Sequence, residues 1–155
     1  MTFPKGHLRR VALVGASTIG ALVVSASPAA AAVDDSFTLY TTDGGCGMVE
    51  FVDYGPGAPG GGNNDDYLVI HDYCSDGDGV QVWASLFVGG WSERDLGTKY
   101  NGNGRAGAAV VWDPFSQFSG NVNAGDTVQL QVCVVDGKNG PEHGCNLVAV
   151  DSADG

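Results

Sequence analysis

Apolar and polar residues alternate in short runs along most of this chain. In residues 80–88, "VQVWASLFV", Val80, Val82, Ala84, Leu86 and Val88 fall on every second position. In residues 127–135, "TVQLQVCVV", Val128, Leu130, Val132 and Val134 face one way and the glutamines the other. A period of two places the two sets on opposite faces of a β-strand. Residues 36–42 read the same way, with Phe37 and Leu39 against Thr38 and Tyr40. In 48–54, Val49 and Phe51 share a face; in 67–74, Leu68, Ile70 and Cys74 do, with Asp72 the odd member. The short apolar runs 108–112 and 145–150 complete the set. About seven or eight strands are predicted in all.

Between these runs lie "DGG", "SDGDG", "NGNG", "NAGD" and "DGKNGPEHG", rich in the residues that tight turns favour. Helical spacing is sustained nowhere. A single helical turn is predicted at 113–118, "DPFSQF", with Asp113 as cap and Pro114 in the first position. Short strands with glycine-rich turns predict an all-β protein: one disulfide-stapled antiparallel β-sandwich of immunoglobulin-like type.

The first 32 residues do not fit that pattern. A basic start (Lys5, Arg9, Arg10) leads into an apolar stretch at 11–24 and then "SASPAAAA". This is the layout of a secretory signal peptide, and the apolar stretch is short for a bilayer span. Residues 33–155 are then the expected mature domain, exported from the cell. The chain has 18 acidic and 7 basic residues, a formal charge of −11. Three of the bases lie in the signal segment, so the mature part is more acidic still. Such a charge argues against nucleic-acid and anionic-membrane partners.

All four cysteines, Cys46, Cys74, Cys133 and Cys145, lie in the mature part. An even count in an exported chain predicts two disulfides. Of the three possible pairings, Cys46–Cys74 and Cys133–Cys145 are expected, because each closes a loop between neighbouring predicted strands. No closely spaced cysteine pair of the zinc-binding kind is present.

The stretch "DYGPGAPGGGNNDDY", residues 53–67, joins two predicted strands and is long for a hairpin connection. Long loops on β-scaffolds often carry binding function. Tyr54, Asp65, Asp66 and Tyr67 at its ends are candidate partner contacts. The segment "VDDSFTLY", residues 33–40, precedes the first cysteine and has good strand propensity. Phe37, Leu39 and Tyr40 in it are candidates for docking by strand addition.

Candidate chemistry is sparse. Asp76 and Asp78 in "SDGDG" resemble the start of a calcium loop, but the remaining ligand spacing and closing glutamate are missing. His71 and His143 lack metal-ligand spacing. No G-x-S-x-G, H-E-x-x-H or phosphate-cradling loop occurs. No enzyme, metal or cofactor is predicted. Trp83 falls on the polar phase of its strand and Trp91 lies in "GGWSERD", so exposed aromatics are expected at an interface or a sugar site.

The run "DYGPGAPGGGNNDDYLVIHDYC", with "YNGNG", "WDPF" and a terminal cysteine hairpin, resembles a group of small secreted proteins of filamentous actinobacteria. The general plan is also similar to the small adaptor subunits of secreted actinobacterial umbrella toxin particles. That resemblance implies an adaptor joining a lectin-like subunit to a larger toxin-bearing subunit. The reading is therefore a secreted, non-enzymatic protein-interaction module whose partner is another secreted protein. Its rivals are a glycan-binding domain, with or without calcium, and a secreted hydrolase inhibitor using the Gly/Pro loop.

Overall fold

The computed structural model describes residues 33–55, 57–58, 65–118 and 121–153. The expected signal segment and the middle of the Gly/Pro loop lie outside the described residues. Eight strands are described: β1 (Phe37–Tyr40), β2 (Gly47–Val52), β3 (Tyr67–Asp72), β4 (Gly79–Val88), β5 (Ser92–Asn101), β6 (Val110–Trp112), β7 (Thr127–Val135) and β8 (Glu142–Asp151). They form two four-stranded antiparallel sheets, ordered β1-β2-β3-β6 and β5-β4-β7-β8.

The seven strands read from alternation are all present, with ends shifted by a few residues. The eighth, β5, carries Glu93, Arg94, Asp95 and Lys99 and lacks an apolar stripe. It forms because Gly89 and Gly90 take positive φ (59° and 74°) and turn the chain back after β4. Opposite Ala84 and Ser85 the β4–β5 register shifts, and this bulge turns Leu96 into the core.

One apolar cluster draws on both sheets. Val49, Phe51, Leu68 and Ile70 come from the first; Val80, Val82, Leu130 and Val132 come from the second. Each fully buried side chain of this size stabilises by about 1.5–3 kcal/mol relative to exposure. Phe51 is central, its ring 5.4 Å from Phe37 and 5.6 Å edge-on to Phe115. Phe115 arrives on a 3-10 turn, Phe115–Phe118, started by Asp113, whose Oδ1 accepts the Ser116 N–H at 3.0 Å. The predicted helical turn is thus a 3-10 turn that helps fill the core.

Both disulfides pair as expected, Cys46–Cys74 and Cys133–Cys145. Cys46 directly precedes β2 and Cys74 closely follows β3, which are adjacent strands. The other bond links β7 to β8 at a register shift near Val132 and Val134. Each staple therefore lies within one sheet. The two disulfides fit an oxidising compartment. Among the described residues no helix is long and apolar enough to cross a membrane.

Candidate partner-binding faces

Strand alternation leaves each sheet one outer face. In the first sheet Leu39, Val49, Phe51, Leu68 and Ile70 point into the core. Tyr40, Met48, Glu50, Val52, Tyr67, Val69 and His71 therefore point out. The register aligns Tyr40 with Met48 and Met48 with His71, and aligns Glu50 with Val69 and Val69 with Val111. The His71 ring stacks on Tyr73 at 5.3 Å, and the Tyr73 hydroxyl reaches the Met48 sulfur at 3.8 Å. Tyr73 lies mainly under the influence of desolvation, then of Tyr40 and Glu50, and all three raise its hydroxyl pKa. Tyr40, Tyr73 and Tyr54 are 48%, 41% and 59% exposed. This face is aromatic and aliphatic, with Glu50 as the carboxylate on the rows just named. That contrasts with the acidity of the chain.

The sequence-based candidates separate on this framework. Tyr40 and Tyr67 share the outer face, and Tyr54 lies just beyond β2. Leu39 points into the core and Phe37 packs against it, so these two hold β1 in place. The β1 edge is partly covered. Asn146 donates its side-chain amide to the Tyr40 carbonyl at 2.9 Å, and the Thr42 N–H donates to the Gly144 carbonyl at 2.8 Å. Asp65 is half-buried at the returning end of the loop. Asp66 is turned inward and fully buried, so in this arrangement it presents no carboxylate to a partner.

The outer face of the second sheet differs in chemistry. Trp83 lies between Thr98 on β5 and Gln131 on β7, and Gln131 pairs with Leu147 on β8. A cleft of about 140 Å³ beside Trp83 is also lined by Ser85 and Gln129. Trp91 stands at the β4–β5 tip, 92% exposed. The Asp126 carboxylate holds that tip, accepting the Gly89 N–H at 2.7 Å.

Asp72, Asp76 and Asp78 have structural partners. Asp72, the odd member of its strand, is buried and accepts N–H groups from Gly104 (3.0 Å) and Cys74 (3.3 Å). Burial raises its pKa, the two amides lower it, and Asp76 and Asp78 raise it further. Asp76 accepts the Asp78 N–H at 3.1 Å, closing the "SDGDG" turn, and Asp78 lies 3.5 Å from His143. Cys46, Cys74 and Asp76 converge, as do Cys133, Glu142 and Cys145. In both clusters the sulfurs are bonded to each other, so neither offers a thiolate to a metal.

No protein-family model, curated protein or solved structure matches this chain.

Proposed function

We propose that this protein is a secreted, non-enzymatic protein-interaction module that docks its partner on the outer face of the first sheet. The observation that carries this reading is the weakly charged, tyrosine-rich surface of Tyr40, His71 and Tyr73, which lies over the buried Met48, in a strongly acidic chain. Tyrosine gives large amphipathic contact area at low conformational-entropy cost and is enriched at protein interfaces. The specific form we favour is the adaptor subunit of an extracellular antibacterial toxin complex, bridging larger secreted subunits. Its support is the general plan shared with such adaptors: small size, an expected export signal, acidity and a disulfide-stapled all-β scaffold. The non-enzymatic reading is supported by the two acids with raised pKa values, Asp66 and Asp72, each of which is engaged with backbone amides.

The immunoglobulin-like reading of the fold belongs with this proposal. The chain crosses from β3 to β4 and from β6 to β7, so that β3 pairs with β6 and β4 with β7. Immunoglobulin domains pair B with E and C with F in the same way. The staples depart from the antibody pattern, which bridges the sheets.

The test begins with retrieval of binding proteins from the producing organism's culture fluid on immobilised protein, with identification by mass spectrometry. The purified partner is then titrated against the wild type, Tyr40→Ala with Tyr54→Ala, and Trp91→Ala. At least a tenfold loss for the tyrosine variant and none for Trp91→Ala is expected. Unchanged affinity in the tyrosine variant sinks the proposal.

A second reading, glycan binding, is favoured by Trp83 with its flanking Thr98, Gln129 and Gln131. An aromatic ring bordered by neutral amides and hydroxyls suits an uncharged sugar. Co-sedimentation with insoluble polysaccharides, abolished by Trp83→Ala, would support it. Absence of binding to cellulose, chitin and yeast glucan would remove it.

A further inference from the structure

Asp53 directly follows β2 and Asp66 directly precedes β3. The last pair of that ladder is Val52 with Tyr67, so Asp53 and Asp66 occupy the next rung, at the neck of the Gly/Pro loop. Two like charges on facing strand positions ordinarily repel. Here both side chains are buried, 8% and 2% exposed, and they hydrogen-bond to each other. An ionised carboxylate only accepts hydrogen bonds. A bond between two carboxyl groups therefore requires a proton on one of them.

Each member of the pair also holds a distant segment. The Asp53 Oδ2 accepts the Asp35 N–H at 2.9 Å, and the Asp53 N–H donates to the Ser36 hydroxyl oxygen at 3.0 Å. The Asp66 Oδ2 accepts the Val122 N–H at 2.5 Å. Asp35 in turn accepts the Ala153 N–H. The lead-in to β1, both ends of the loop and the segment before β7 thus meet at one pair of carboxyls, and the C-terminal segment joins through the Asp35 side chain.

We propose that Asp53 and Asp66 share a single proton and act as a proton-operated clasp at the loop neck, closed when the proton is present and released when it is lost. Burial, the largest influence, pushes Asp66 up to about 7; the Val122 amide lowers it, while Asp53 and Asp65 raise it. The charged groups that act on Asp66 are thus acidic: Asp53 across the clasp and Asp65 beside it. The lead-in to β1 brings Asp35, and the segment before β7 contributes the Val122 amide. A raised carboxyl pKa means the folded chain holds the proton more tightly than the unfolded one. The clasp's contribution is complete below the ordinary aspartate range and is lost as pH rises through about 7. Tyr54 and Tyr67 flank the pair, so its release would also loosen two proposed docking residues. That last consequence rests on the docking proposal; the clasp does not.

The test is a titration of the side-chain carboxyl carbons of Asp53 and Asp66 by NMR in the ¹³C-labelled protein, from acid to alkaline pH. One shared transition centred near neutrality is expected at both carbons, with the Asp35 amide proton moving in step. Complete ionisation of both groups well below neutrality would overturn the clasp. Melting temperature gives the second readout. Wild type should lose stability through the same transition. Asp66→Asn, whose amide can donate to Asp53 permanently, should remove that loss. Parallel pH profiles for wild type and Asp66→Asn would also overturn it. If Asp66→Asn does not fold, the wild-type titration alone decides.

Discussion

Asn101, on β5, donates its side-chain amide to the Ile70 carbonyl on β3 at 2.8 Å, joining one sheet to the other through the protein interior. The same side chain accepts the Asn103 N–H at 2.9 Å through Oδ1, so both ends of its amide group are used. Because each disulfide stays within one sheet, this bond is a buried polar tie between the layers, and Asn146–Tyr40 and Thr42–Gly144 add ties at the β1–β8 edge. Asn101→Ala should cost about 1–3 kcal/mol, since it leaves a buried carbonyl without its donor. Urea denaturation of the two proteins measures it, and a difference under about 0.5 kcal/mol, the range of ordinary surface substitutions, would contradict it.

The two staples should differ in worth. Cys46–Cys74 spans 28 positions and Cys133–Cys145 spans 12. Loop-closure entropy gives about 3.6 kcal/mol for the first and about 2.8 kcal/mol for the second. Paired cysteine-to-alanine variants, compared by denaturant unfolding, should show the larger loss for Cys46–Cys74.

Gly47, the first residue of β2, packs its backbone directly against Val80 on β4. A Cβ built there would lie 2.8 Å and 2.9 Å from the two Val80 methyl groups and 2.9 Å from the Thr41 methyl. Both are buried, branched side chains with little room to give. Gly47→Ala should destabilise by about 1–3 kcal/mol through overpacking. Gly47→Ala combined with Val80→Ala should lose less than the sum of the two single changes, which a double-mutant cycle reads directly.

Asp72 should give the protein an identifiable pH slope. Its raised pKa means that folding favours the protonated form. Its contribution is complete below the ordinary aspartate value of 3.8 and falls as pH rises through the folded-state value. Asp72→Asn should therefore flatten the decline of melting temperature with rising pH between the ordinary value of 3.8 and the raised folded-state value. Equal slopes in the two proteins would show that folding does not raise the pKa of this carboxyl.

Much of this architecture was legible in the sequence wherever burial and period coincide. β4 and β7 are the central strands of their sheet, one face sealed in the core, and their alternation is correspondingly clean. β5 was not legible. It is an edge strand whose buried members are Leu96 and Asn101, and its charges answer to solvent and edge protection more than to the core. The cysteine pairing followed from strand adjacency. The roles of the loop acids did not: Asp53 and Asp66 look like solvated loop residues, and their meeting depends on a ladder register that composition does not encode. The outer face around Tyr40 was only half visible for the same reason. His71 and Tyr73 join it through stacking across one strand, and Met48 through a neighbouring one.

The placement of β1 outside both disulfides has a mechanical consequence. It is a four-residue flap with no disulfide of its own, held by one ladder to β2 from Phe37–Phe51 to Tyr40–Met48, by Leu39 in the core and by the Asn146 bond to Tyr40. If a bound partner pulls on the chain from its N-terminal side, that ladder opens one rung at a time, starting at Phe37. Extension then reaches Cys46, where tension passes through a covalent sulfur bridge to Cys74 and bypasses β2, the loop and β3. The flap gives way under load while the Cys46–Cys74 staple keeps the β2–β3 pair from being drawn out.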